Sequence, residues 1–81
     1  MAGDEIQNLL RAGVEAARNG NRVIAQGIFQ QVINLDENNE AAWMWLASVS
    51  DNTEARREAL QRVLSINPSN ERAQQAMARL M

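Results

Sequence analysis

The chain has 81 residues, 46% of them apolar, with eight arginines against ten acids and a net charge of −2. A chain this short forms one small domain, and its elements must share one interior or borrow surface from a partner. Cysteine and histidine are both absent, which excludes disulfides, thiolate catalysis, cysteine-based zinc sites and the commonest acid–base and metal-ligating side chain.

The first predicted element opens on Asp4, a good N-cap, with Gln7 completing a capping-box-like pair. Ile6, Leu9, Leu10, Gly13, Ala16 and Ala17 then recur at helical spacing. Asn19-Gly20 should end this helix, because glycine accepts the left-handed conformation. Asn21 is placed to cap a second helix with a wide apolar stripe of Ile24, Ala25, Ile28, Phe29, Val32, Ile33 and Leu35. Asp36 to Asn39 breaks it. The third helix, about Asn39 to Ser50, is apolar nearly all round and carries both tryptophans, Trp43 and Trp45. Such a helix must be covered on several sides, so it is the expected middle layer.

Asp51-Asn52-Thr53 reads as a turn, with Thr53 as the expected cap of a fourth helix through Ala55, Ala59, Leu60, Val63, Leu64 and Ile66. That helix ends before Asn67, since a residue preceding proline disfavours the helical region. Pro68-Ser69-Asn70 starts a last helix with Ala73, Ala76, Met77 and Leu80 on its apolar side. No alternating run of β-branched residues suggests a strand. The expected fold is all-α: five helices, neighbours antiparallel across short connections.

The chain also repeats itself. Phe29 to Glu40 lines up with Leu60 to Glu71 at an offset of 31 residues. Self-similarity at that period marks a stack of units, each burying its face against its neighbours. Here the chain resembles the tetratricopeptide repeat family, whose unit reads W-x2-L-G-x2-Y, then A-x3-F, then P, over about 34 residues. Trp43 to Ala47 matches the first part, with alanine for glycine and Ser50 for the aromatic. Leu9, Ala12, Gly13 and Ala16 occupy the same places one unit earlier, Ala25 and Phe29 match the second part, and Pro68 matches the closing proline. Trp43 to Leu60 spans 17 residues where Leu9 to Phe29 spans 20, so unit two has lost about one helical turn. Arg56 falls where the small alanine belongs, at an expected exposed helix start. The resemblance divides the chain into unit one, 6–39, unit two, 40–70, and a capping helix, 71–81. It implies a right-handed solenoid.

It also implies an inner face lined by the first helix of each unit. By position this face takes Gln7, Leu10, Arg11, Val14, Ala17 and Arg18, then Ala41, Met44, Trp45 and Ser48, then Arg72, Gln75, Ala76 and Arg79. Leu10, Val14 and Met44 stand where polar donors would grip a peptide C-terminus, which argues against carboxylate capture. At about 100° per residue, Trp45 lies about 200° from Trp43 on the helix, and Met44 about 100°. With Trp43 in the core, Leu10, Val14, Met44 and Trp45 could form an apolar patch rimmed by Arg11, Arg18 and Arg79, the kind of surface that marks a partner site. The opposing reading buries Trp45 within one small bundle.

The resemblance, with the apolar patch, implies a non-catalytic protein interaction scaffold. It binds a protein or peptide through Leu10, Arg11, Val14, Arg18, Met44, Trp45, Ser48 and Arg79, or closes a homodimer on the same face or on the open side of the last helix. A fragment of a longer repeat protein is the further alternative. Asp36-Glu37 and Asp51 read as turn and cap residues, and no glycine-rich phosphate loop follows a strand, so no enzyme, cofactor or metal is expected. Interspersed charges argue against nucleic acid. Arg56, Arg57 and Arg62 read as a solvated face paired with Glu54 and Glu58. MAGDEIQ lacks a signal-peptide pattern, and no apolar run approaches the roughly 20 residues of a membrane span, so a cytoplasmic protein is expected.

Overall fold

The computed structural model describes residues 2–80, and Met81, the last residue of the expected capping helix, lies outside them. Five helices follow in order: α1 (Ala2–Arg18), α2 (Arg22–Leu35), α3 (Glu40–Val49), α4 (Thr53–Ile66) and α5 (Glu71–Leu80). No strand occurs among the described residues. Each helix packs on the next in sequence, and α1 also touches α3.

The helix ends follow local chemistry, with two departures from the sequence reading. Gly20 takes φ 82°. Its N–H donates to Ala17 O at 3.1 Å and that of Asn21 to Ala16 O at 2.9 Å, which satisfies the last carbonyls of α1. Asp4 is not a cap: α1 begins at Ala2, so Asp4 and Glu5 lie in its first turn, where the helix dipole favours negative charge. Nor does Thr53 cap α4. Asn52 holds the extended conformation that capping needs, and its Oδ1 accepts from the N–H of Glu54 at 2.7 Å and of Ala55 at 3.2 Å. Asn21 occupies the cap position of α2 without a side-chain bond.

The 31-residue offset recurs bond for bond. At the α2–α3 junction, Asp36 N–H donates to Val32 O and Asn39 N–H to Asp36 O; at the α4–α5 junction, Asn67 N–H donates to Val63 O and Asn70 N–H to Asn67 O. Asn39 Oδ1 accepts from Ala42 N–H at 2.9 Å, and Asn70 Oδ1 from Ala73 N–H at 2.9 Å. Asp36 and Asn67 each accept the N–H two residues on. Even the next side chain matches: Trp43 Nε1–H donates to Glu37 O at 2.8 Å and Gln74 Nε2–H to Pro68 O at 2.7 Å. The two junctions are also tied together. Glu40 Oε2 accepts from Asn67 Nδ2 at 3.0 Å and Asn70 Nδ2 at 2.6 Å.

The helix α3 packs on α2 on one side and α4 on the other, so it is shared by the α2–α3 and α3–α4 hairpins, and it feeds three apolar clusters. Val49, Trp45 and Leu46 join Phe29 and Ala25 of α2 with Ala16 of α1. Ala42 joins Val32 and Ile33. Ala47, Trp43 and Met44 join Ala59, Leu60 and Val63 of α4 with Ala73 of α5. Trp43 is only half-buried, whereas the sequence reading put it in the core. Its indole nitrogen must reach the Glu37 carbonyl, and Arg62 lies over its ring at 5.3 Å. On α5, Ala73 is buried and Ala76, Met77 and Leu80 are half-buried against the α4 cluster, while Gln74, Gln75 and Ala78 are exposed. The wide stripe expected on α2 is buried in part. Ala25, Phe29, Val32 and Ile33 are interior, whereas Ile24 is 57% and Leu35 48% exposed.

One glycine is demanded by packing. A Cβ at Gly13 would come within 2.6 Å of Phe29 Cε1, whereas one at Gly27 would meet nothing within 4 Å. Gly13→Ala should therefore lose about 1–2 kcal/mol of stability, overpacking outweighing helix propensity, while Gly27→Ala gains about 0.5–1 kcal/mol. Paired urea melts check the opposite signs. Glu40 and Glu71 hold equivalent helix-start positions, but no side-chain bond is made by Glu71 among the described residues. Glu40→Ala should cost about 1–2 kcal/mol and Glu71→Ala less than about 0.5 kcal/mol in the same melts.

Candidate partner-binding face

The residues proposed from the sequence to meet a partner lie on α1, α3 and α5, and the structure brings them together in part. Leu10, Arg11, Val14 and Arg18 line a shallow depression of about 390 Å³ along α1, with Gln7 and Glu15. Met44 and Trp45 line a second of about 410 Å³ with Glu40, Ala41, Asn70 and Arg72. A small one of about 110 Å³ joins Met44, Trp45, Ser48 and Arg72. Another of about 290 Å³ joins Met44, Ala47 and Ser48 to Arg56, Leu60, Ala76, Arg79 and Leu80. Met44 borders three of these, so it is their common wall.

The four apolar residues line separate depressions, Leu10 and Val14 one and Met44 and Trp45 others. Leu10, Val14, Met44 and Trp45 are each half-buried. Leu10, Val14 and Trp45 rest on the Phe29 cluster, and Met44 rests on the Leu60 cluster. The ring of Trp45 stacks on Phe29 with centroids 5.9 Å apart and planes 14° apart. Trp45 is thus both a core contact and a groove wall. The α3 arithmetic explains the split: Met44 follows Trp43 toward α4, whereas Trp45 turns back toward α2.

Arginine placement departs from the sequence reading at two positions. Arg56 is half-buried rather than exposed, and its Nε–H donates to Ser50 O at 2.8 Å. Ser50, where the family pattern has an aromatic, is itself buried and donates its Oγ–H to Leu46 O at 2.7 Å. The helix α3 stops there, and Arg56 satisfies the freed carbonyl. Arg62 covers Trp43, so of the three arginines only Arg57 pairs with a glutamate, Glu54, at 3.9 Å.

A depression of about 760 Å³, larger than those above, is absent from the sequence reading. It lies between α2 and α4, with Val23, Gln26, Gly27 and Gln30 on one wall, Ala55, Glu58 and Ala59 on the other, and Trp43, Leu46 and Ser50 among its lining residues. None of the proposed partner residues lines it. The small side chains of Gly27, Ala55 and Ala59 were the available signal.

Among the described residues, no group of three acidic side chains could hold a metal ion, and no helix is long and apolar enough to cross a membrane. Asp36 is occupied in its turn, accepting from Asn38 N–H and Asn39 Nδ2. The chain matches no family model, and no curated protein is significantly similar to it.

The dual role of Trp45 sets an expectation. Trp45→Ala should lower the unfolding free energy by about 2–3 kcal/mol, since it strips the cover from Phe29. Ser48→Gln, at an exposed groove position, should change it by less than about 0.5 kcal/mol. Denaturant melts monitored by circular dichroism separate the two, and a loss below about 1 kcal/mol for Trp45→Ala would contradict the packing described.

Proposed function

We propose that the chain is a tetratricopeptide-like stack, two helical hairpins and a closing helix in a right-handed solenoid, serving as a non-catalytic protein interaction module. A segment of a partner protein lies across α1, α3 and α5. Leu10, Val14, Met44 and Trp45 supply burial, and Arg11, Arg18 and Arg79 supply the rim. The observation that carries this reading is the position of Met44. It is half-buried at the middle of the shared helix and forms the common wall of three adjoining depressions. The bond-for-bond repeat of the two junctions and the close approach at Gly13, where the family pattern places its glycine, support the solenoid. The polar outer side of α5 suits a closing helix. The candidate acids serve as turn and helix-start residues, which favours binding over catalysis.

A random dodecapeptide library displayed against the immobilised protein tests the reading. Peptides should be enriched on the wild type and bind Ser48→Gln about tenfold more weakly, with the melting curve unchanged. No enrichment, or enrichment indifferent to Ser48→Gln, contradicts the assigned face. Light scattering on the same sample should give the monomer mass; a dimer that Ser48→Gln dissociates would assign the face to self-association.

A further inference from the structure

The proposed face is far more basic than the rest of the molecule. Five of the eight arginines, Arg11, Arg18, Arg72 and Arg79 with the half-buried Arg56 of α4, line the depressions on this side of the molecule, against two acids, Glu15 and Glu40. The face thus carries three positive charges in excess. The remaining three arginines and eight acids leave everything else at −5, which restores the overall −2. Moreover, Glu40 is already engaged by the two asparagine amides. Among the described residues the ion pairs are Arg22 with Asp51 and Arg57 with Glu54, both away from this face. Among the described residues the arginines of the face thus form no ion pair, and Arg56 is held by the Ser50 carbonyl. Charge segregation of this kind steers and selects a partner of opposite sign.

We infer that the partner is an acidic peptide segment carrying large apolar side chains. This rests on the reading of the face as a peptide groove and adds its chemistry. Arginines supply the pairing to carboxylates, for which their planar forks are suited. The half-buried Leu10, Val14, Met44 and Trp45 between them give apolar anchors somewhere to go. A nucleic acid would use the charge but waste the apolar walls, and its bases would need an open aromatic face, whereas the Trp45 ring is stacked on Phe29. The longest dimension of the chain, 37 Å, limits an extended segment to about eleven residues.

The test uses the peptides enriched in the dodecapeptide selection, the double variant Arg72→Glu/Arg79→Glu, and a single-stranded RNA dodecamer of mixed sequence. Arg72 and Arg79 are both exposed, so the variant should keep its circular dichroism and melting curve. Enriched peptides should be rich in Asp and Glu, with at least one Leu, Met, Phe or Trp. By fluorescence anisotropy they should bind the double variant at least about tenfold more weakly, and weaken at least about fivefold between 50 and 300 mM salt. Neutral or basic peptides that bind wild type and double variant alike would overturn the acidic partner and leave the groove standing. Binding of the RNA in preference to every enriched peptide would overturn it in favour of a phosphate reader. No enrichment at all would overturn the groove and the acidic partner together.

Discussion

Everything in this fold depends on α3 being covered from two sides at once. Ten residues must bury Ala42, Val49 and Leu46 against α2, and Ala47 and Met44 against α4. Neither hairpin alone could offer that cover, and a chain of this size buries too little surface for two separate cores. The helix therefore acts as a shared wall. Its two tryptophans face different neighbours: Trp45 reaches Phe29, while Trp43 bridges toward α4 and lies under Arg62. Glu40, at the start of α3, adds a polar fastening by accepting from the turn that follows α4.

The same arrangement creates the candidate site. A helix packed on both flanks has its remaining side open, and at positions 44, 45 and 48 that side borders grooves rather than a further helix. Rigidity comes with it, because Trp45 is held by Phe29 and Phe29 by the absence of a side chain at Gly13. A contact surface built on such a scaffold meets a partner with little ordering cost. In the proposed reading, the basic character of the face, set against an acidic remainder, selects an acidic partner.

Much of this was legible in the sequence because the signals were periodic. Helical spacing, the 31-residue offset and the turn residues located all five helices, and Gly20 and Asn39 ended and began helices where their chemistry required. The failures were local. Asp4 and Thr53 are good caps in isolation, but α1 already begins at Ala2, and Asn52, one residue before Thr53, holds the extended conformation and accepts the N–H groups of Glu54 and Ala55. Arg56 could not be placed from spacing, because the short connection between α3 and α4 brings it against the Ser50 carbonyl rather than into solvent. The groove between α2 and α4 left only a weak trace in the small residues Gly27, Ala55 and Ala59, because it depends on how far two helices stand apart. Helical spacing leaves Trp45 either in the core or on the surface, and the stacking on Phe29 makes it both.

Native-state hydrogen exchange tests the shared wall most directly. If α3 is common to both hairpins, the slowest amides of α2, α3 and α4 will exchange with one common opening free energy, equal to that of global unfolding. If the α4 and α5 amides instead open at a much lower free energy while α1 to α3 stay protected, the hairpins are independent, and both the shared wall and the face built on it are contradicted.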